Sequence, residues 1–145
     1  MKRQIRRGVY ETNSSSCHAL SVAKLGVTEY LHVDEYENKV VVEYGEFGWA
    51  YDEITDPETK LSYLITMLHE YCDGNIYESD EFQGISDIVA ERCECDGIKV
   101  DEDSYGYVDH QSVEKIDDLM SYYGCTIEEF IFDKGVTLII DNDNH

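Results

Sequence analysis

The chain is poor in basic residues and in long apolar runs, and each shortage excludes a class of protein. Of its 145 residues, 32 are Asp or Glu and only 11 are Lys or Arg, so the formal net charge is -21. Such a chain repels nucleic acid and anionic membranes, because binding either would bring like charges together. No apolar run approaches the roughly 20 residues of a membrane span, and the basic start lacks the apolar part of a signal peptide. We therefore expect a soluble, cytoplasmic protein.

The numbers of proline and cysteine residues indicate how many domains the chain has and whether its thiols are free. There is one proline and no Gly/Ser-rich linker, so nothing marks a domain boundary and we predict a single domain over residues 1–145. The five cysteines are odd in number and irregularly spaced, which favours free thiols over a disulfide framework. Twelve Tyr, four Phe and one Trp argue against disorder despite the charge.

The charge is unevenly distributed along the chain. Residues 1–26 contain five bases and one acid, a net charge of +4, which leaves -25 for the remainder. We refer to residues 1–26 as the basic N-terminal segment and expect it to be ordered against the acidic body. The polar end at residues 141–145 is expected to fray. Plain solubility, or adaptation of the host to salt, is an alternative explanation of the acidity.

Helical spacing of apolar residues predicts three main helices. The first begins at Asp56 and Pro57, because Asp56 can cap the free amides and proline is tolerated at the first helical position. Ser79 is expected to cap the second helix in the same way. The predicted ranges are 56–72, 80–94 and 111–123. Thr126 and Glu129 have the pattern of a capping box, which predicts a short fourth helix.

Runs of β-branched and apolar residues predict the strands. The strongest is Lys39–Tyr44, because three consecutive valines favour extended backbone and Gly45 closes the run. Weaker patterns predict strands at 17–22, 29–33 and 136–141, and a short hairpin of 98–100 with 105–108. Helices and strands alternate too irregularly for repeated βαβ units. We therefore predict an α+β fold, with three main helices packed on one face of a mostly antiparallel sheet.

Acidic residues gather on the outward sides of the second and third helices. At about 100° per residue, four acids of the second helix fall within roughly 60° of one line, opposite its apolar residues. Three acids of the third helix oppose its apolar residues in the same way. Neighbouring like charges on a helix cost a few tenths of a kcal/mol each, so such a surface favours a basic partner. The predicted partner-binding residues are Asp80, Asp87, Glu91, Glu94, Glu114, Asp117 and Asp118.

The stretch from Arg6 to His18 has the sequence RRGVYETNSSSCH. It resembles the opening of a family of short uncharacterised proteins from phages and low-GC Gram-positive bacteria, which have a basic stretch, Gly, an apolar and an aromatic residue, then ETNSSS and a His two places on. GEFGW at 45–49 and Tyr63-Leu64 are similar to the same family, whereas Tyr10 stands where Phe is commoner. The resemblance covers roughly the first half of the chain. It implies an origin in a phage or mobile element and no established activity.

Two interpretations of that stretch follow from its residues. Hydroxyls and an amide ahead of a strand suit turns in which side chains satisfy their own backbone. Alternatively, the same groups and two arginines form an anion or nucleotide-phosphate site, which would make the protein an enzyme or a sensor of a small phosphorylated ligand. The candidate anion-binding residues are Arg6, Arg7, Thr12, Asn13, Ser14, Ser15, Ser16 and His18.

Three other motifs resemble catalytic or metal-binding sites, but each lacks a feature that such a site requires. Cys17 and His18 are adjacent on a predicted strand, so their side chains point to opposite faces and do not suit a nucleophile with its base. The Cys93-Glu94-Cys95 spacing lacks the paired knuckles of a structural zinc site. The run from Asp101 imitates the start of a calcium loop, but Tyr105 falls where an oxygen ligand belongs. We expect no catalytic residue, no metal and no cofactor.

These patterns favour an interaction protein over an enzyme. We expect an acidic phage or mobile-element protein in the bacterial cytoplasm that mimics nucleic acid and so occupies the binding surface of a basic host protein. A nuclease of host defence is the expected partner class, which makes inhibition of the anti-CRISPR or anti-restriction type the leading hypothesis. The ligand-binding enzyme or sensor described above is the alternative, and an acidic protein with no specific partner is a third possibility. Direct contact with nucleic acid or membrane is not expected.

Overall fold

The computed structural model describes residues 16–22, 31–47, 52–71, 75–108 and 116–142. The fold is mixed α+β, and it contains four α-helices and seven strands within these ranges. The helices are α1 (Pro57–Tyr71), α2 (Asp80–Cys93), α3 (Ile116–Tyr123) and α4 (Ile127–Phe132). The strands are β1 (Ser16–Val22), β2 (Val40–Glu43), β3 (Glu46–Phe47), β4 (Asp52–Ile54), β5 (Ile98–Asp101), β6 (Tyr107–Val108) and β7 (Val136–Asn142).

The strands form three small sheets. β7 lies between β1 and β4 and pairs antiparallel with both, with Leu138 opposite both Leu20 and Ile54. β2 pairs in parallel with β5, and β3 pairs in parallel with β6. The predicted mixture of helices and strands is thus confirmed. The predicted arrangement is matched only in part, because the antiparallel sheet is accompanied by two parallel pairs.

The predicted hairpin is wrong. Strands 98–100 and 105–108 were expected to form a hairpin, but β5 and β6 each pair with an earlier strand instead. The register of β2 and β5 places Val40 beside Ile98 and Val42 beside Val100, and all four side chains are buried. Burial of a shared apolar face therefore selects the distant partner. The described part of the predicted strand 29–33, residues 31–33, is irregular.

Helix α1 lies at the centre of the core. Asp56 accepts hydrogen bonds at Oδ2 from the backbone amide of Thr59, at 2.8 Å, and from its hydroxyl, at 2.7 Å, so the predicted cap is confirmed. Pro57 is the first helical residue, where its missing N–H loses no bond. Of the apolar residues whose helical spacing predicts this helix, four are buried, namely Leu61, Leu64, Ile65 and Leu68. The fifth, Cys72, lies outside the described residues.

The predicted starts of two other helices are confirmed. The hydroxyl of Ser79 accepts from the amides of Glu81 and Phe82 at the start of α2. Thr126 and Glu129 form a reciprocal capping box at the start of α4. Of the third predicted helix, residues 116–123 are helical and 111–115 lie outside the described residues. No described helix is both long enough and apolar enough to cross a membrane.

Lys60 of α1 is fully buried, which is rare for lysine. Its Nζ donates to the backbone oxygens of Asp133, at 3.1 Å, and Val136, at 2.8 Å. The ammonium also lies 5.7 Å from the centroid of the Phe130 ring. Lys60 thereby fastens the turn between α4 and β7 to the central helix.

Candidate functional site

The outward side of α2 carries the predicted line of carboxylates. Phe82, Ile85 and Val89 are buried on its inner side. The four acids predicted to oppose them are exposed, and we call this set the acidic face: Asp80, Asp87, Glu91 and Glu94. Glu94 is the C-cap, and its left-handed backbone, with φ 54°, ends the helix before Gly97. The predicted face is thus present as an exposed surface.

Two described bases, one on α2 and one on β5, form ion pairs with carboxylates outside the acidic face. Arg92 is the one base of α2, and its Nη1 donates to Glu128 Oε2 of α4 at 2.7 Å. The same guanidinium lies 4.5 Å from the centroid of the Phe132 ring. Lys99 of β5 pairs with Glu37 at 2.9 Å, and that hydrogen bond and charge raise the pKa of Lys99. Neither cation pairs with a carboxylate of the acidic face in a described contact.

The other predicted partner-binding residues are only partly placed. Asp117 and Asp118 lie on α3, and Glu114 lies outside the described residues. Most of the candidate anion site, Arg6 to Ser15, also lies outside them. Ser16 and His18 lie on β1, opposite Asn142 and Ile140 of β7. Both the anion-site interpretation and the expected ordering of the N-terminal segment therefore remain predictions.

The candidate metal and thiol residues are not brought together in the described part of the chain. It contains no group of three or more His, Cys, Asp or Glu side chains arranged to hold a metal ion. Cys93 and Cys95 are free and half-buried, and burial raises the pKa of the Cys93 thiol despite a hydrogen bond with the Leu31 backbone. The loop after β5 folds on itself, because Asp101 Oδ1 accepts from the amide of Asp103 at 3.1 Å.

A pocket that the sequence did not reveal lies between that loop and the end of β2. Its volume is about 430 Å³, within the range of small-ligand sites. The rings of Tyr44 and His69 form one wall, with their centroids 4.7 Å apart. Tyr105 also lines it and is 76% exposed. We call it the tyrosine pocket, and its lining residues are Tyr44, His69, Asn75, Ile76, Glu102, Ser104, Tyr105 and Gly106.

Two contacts fix the loops that form the tyrosine pocket. The amide of Tyr44 donates to the hydroxyl of Ser104 at 2.9 Å, and that hydroxyl donates to the Asp101 carbonyl at 2.5 Å. The backbone of Gly106 packs so closely on that of Gly45 that a Cβ on Gly106 would overlap it. Both glycines follow a tyrosine, but a third Tyr-Gly pair occurs at 123–124, so the dipeptide alone does not reveal the contact.

A larger groove has a volume of about 600 Å³, and Tyr44 lines both this groove and the tyrosine pocket. Its apolar surface includes Val41, which is 44% exposed on β2. The carboxylates on its lining belong to Asp34, Glu43, Glu46 and Glu58. No Lys or Arg is among the described residues that line either cavity. Both cavities therefore favour cationic over anionic ligands.

Comparisons with known proteins returned no match: no protein-family model, no curated protein and no solved structure corresponds to the chain.

Proposed function

We propose that this protein binds a basic surface of another protein through the acidic face, at a site where that partner otherwise binds nucleic acid. One observation carries the proposal. The acidic face exposes four carboxylates, while the single base of the same helix is held by Glu128 and Phe132 of α4. The face is therefore not neutralised by its own helix.

Electrostatics supports a cationic partner. Asp87 and Glu91 are four residues apart on α2, a spacing at which like charges repel by a few tenths of a kcal/mol. Contact with lysines or arginines removes that repulsion and adds attraction. Across a whole chain of net charge -21, the attraction acts over about 8–10 Å at physiological ionic strength and accelerates encounter with a basic surface.

The partner class follows from the same chemistry. A surface that binds the phosphates of nucleic acid presents clustered lysines and arginines, and exposed carboxylates can occupy the same positions. The resemblance to phage proteins favours a nuclease of bacterial defence as the partner, in the cytoplasm of the host. In this account the protein inhibits by occupancy and performs no catalysis.

The direct test is affinity capture from a bacterial host lysate with the full chain as bait, at low and at moderate salt. We expect a basic, nucleic-acid-binding protein at low salt, and we expect both added duplex DNA and moderate salt to elute it. Bait with Asp87→Lys and Glu91→Lys should capture less of that protein. A matched control compares the single substitutions Glu35→Lys and Glu91→Lys. Both replace an exposed glutamate and change the net charge equally, but Glu35 lies in the turn before β2 and is not part of the acidic face.

Two outcomes would overturn the proposal. One is a captured partner that neither nucleic acid nor salt can elute. The other is equal capture by the wild-type bait and by the doubly substituted bait.

A further inference from the structure

We propose that the tyrosine pocket receives an arginine side chain. This inference rests on the proposed function in one respect, namely that the arginine belongs to the basic partner. It adds a specific contact to an attraction that is otherwise only electrostatic.

The walls of the pocket suit a guanidinium group. The rings of Tyr44 and His69 lie 4.7 Å apart with an interplanar angle of 39°, and Tyr105 supplies a further ring. Aromatic faces attract cations, and a planar guanidinium stacks on them better than a compact ammonium does. Ile76, which is 5% exposed, gives the aliphatic stem of an arginine an apolar surface.

The charge of the pocket has one sign. Glu102 lines it, and no Lys or Arg does among the described residues. A carboxylate accepts two parallel hydrogen bonds from a guanidinium, a geometry that lysine cannot reproduce. The pocket therefore favours arginine over lysine and rejects anionic side chains.

The pocket is organised before any ligand binds. Ser104 joins the loop after β5 to the Tyr44 amide at 2.9 Å, and Thr66 of α1 accepts from the Gly45 amide at 3.1 Å. Thr66 is itself buried and donates to the carbonyl of Ser62 at 2.7 Å. Because helix α1 and two fixed backbones position the rings, little ordering is needed on binding.

The test is an NMR titration of the full chain with Nα-acetyl-arginine amide. Nα-acetyl-citrulline amide, which has nearly the same shape but no charge, is the matched control probe. We expect the arginine compound to shift the amide signals of Ser104, Tyr105 and Gly106, and we expect the citrulline compound to leave them unchanged. Nα-acetyl-lysine amide should bind more weakly than the arginine compound.

Two substitutions test whether the arginine compound binds in the tyrosine pocket. Tyr105→Ala should weaken binding of the arginine compound about two- to five-fold, the equivalent of one exposed cation–π contact. Tyr36→Ala is the control, because Tyr36 is 99% exposed in the turn before β2 and does not line the pocket. The inference is overturned if both probes shift the same signals equally, if neither shifts them, or if Tyr36→Ala weakens binding as much as Tyr105→Ala.

Failure of this inference is distinguishable from failure of the proposed function. Asp87→Lys with Glu91→Lys changes the acidic face and should leave binding of Nα-acetyl-arginine amide unchanged. If a nucleic-acid-binding partner is captured but the pocket does not select arginine, the inference about the pocket fails and the proposed function stands. If the pocket selects arginine but no such partner is captured, the arginine site stands and the proposed function fails.

Discussion

Gly106 lies backbone to backbone against Gly45, although 61 positions separate them in the chain. A methyl group at 106 would overlap the amide nitrogen and the carbonyl oxygen of Gly45. The contact joins the loop before β6 to the end of β2 and holds Tyr44 and Tyr105 on one pocket. Only glycine at 106 permits it.

Gly106→Ala should therefore destabilise the protein. Steric overlap with backbone forces a shift that costs about 1–3 kcal/mol. The matched control is Gly84→Ala, because nothing lies within 4 Å of a Cβ at that exposed position of α2. Alanine is favoured over glycine inside a helix by about 0.5–1 kcal/mol, so the control should stabilise. Urea unfolding measures both, and equal effects of the two substitutions would contradict the described contact.

Lys60→Met should lower the free energy of unfolding by about 2 kcal/mol. The substitution leaves an unbranched side chain one atom shorter and removes the charged donor from two buried carbonyl oxygens. Such bonds contribute about 1.5–3 kcal/mol each, and the loss is partly offset because the variant no longer buries a charge. Lys99→Met removes a lysine from an exposed ion pair and should have a much smaller effect. Guanidinium-induced unfolding compares the two variants. A loss at position 60 no larger than that at 99 would show that the buried ammonium is dispensable.

Asp56 should make the free energy of unfolding depend on pH in the acid range. Partial burial raises the pKa of this carboxyl, but the two hydrogen bonds from Thr59 and the charge of Lys60 outweigh it and leave the pKa below the ordinary value of 3.8. The folded state thus favours the charged form. Its contribution is present above pH 3.8 and is lost as the pH falls through the lowered pKa.

The measurement compares Asp56→Ala with the wild type by urea unfolding at neutral pH and near pH 3. At neutral pH we expect a loss of about 1 kcal/mol, the usual effect of removing a helix cap. The difference should shrink in acid, because the wild-type carboxyl then becomes protonated. Asp56→Asn is the control, since it keeps a capping oxygen without the charge. A difference between Asp56→Ala and the wild type that stays constant with pH would contradict the role of the charge.

Short-range features of the fold were predictable because they are decided within one helical turn. Asp56, Ser79 and the pair Thr126 and Glu129 each bond to amides two or three residues away. The period of apolar residues likewise identified the buried side of α2 and, by opposition, its acidic face. These features depend on spacing alone.

Strand partners were not predictable in the same way. The runs at 98–100 and 105–108 showed strand propensity, and a hairpin was the nearest arrangement in sequence. The structure instead pairs β5 with β2, so that Val100 is buried beside Val42. Which strands pair is decided by the packing of the whole core, and strand propensity carries no information on that choice.

The tyrosine pocket escaped prediction for the same reason. Its hydrogen bond from the Tyr44 amide to Ser104 spans 60 positions. Three Tyr-Gly dipeptides are visible in the sequence, and nothing local shows that the glycines of two of them, Gly45 and Gly106, meet.

Stopped-flow kinetics with the captured partner measures whether the acidic face controls association with a basic, nucleic-acid-binding protein. Asp87→Lys with Glu91→Lys should slow association and flatten its dependence on salt, because the steering charge is reversed, and it should let DNA compete better. Glu91→Lys alone should slow association more than Glu35→Lys, which changes the net charge equally. Association that does not depend on salt and proceeds at the wild-type rate in the doubly substituted protein would show that the acidic face does not steer the encounter.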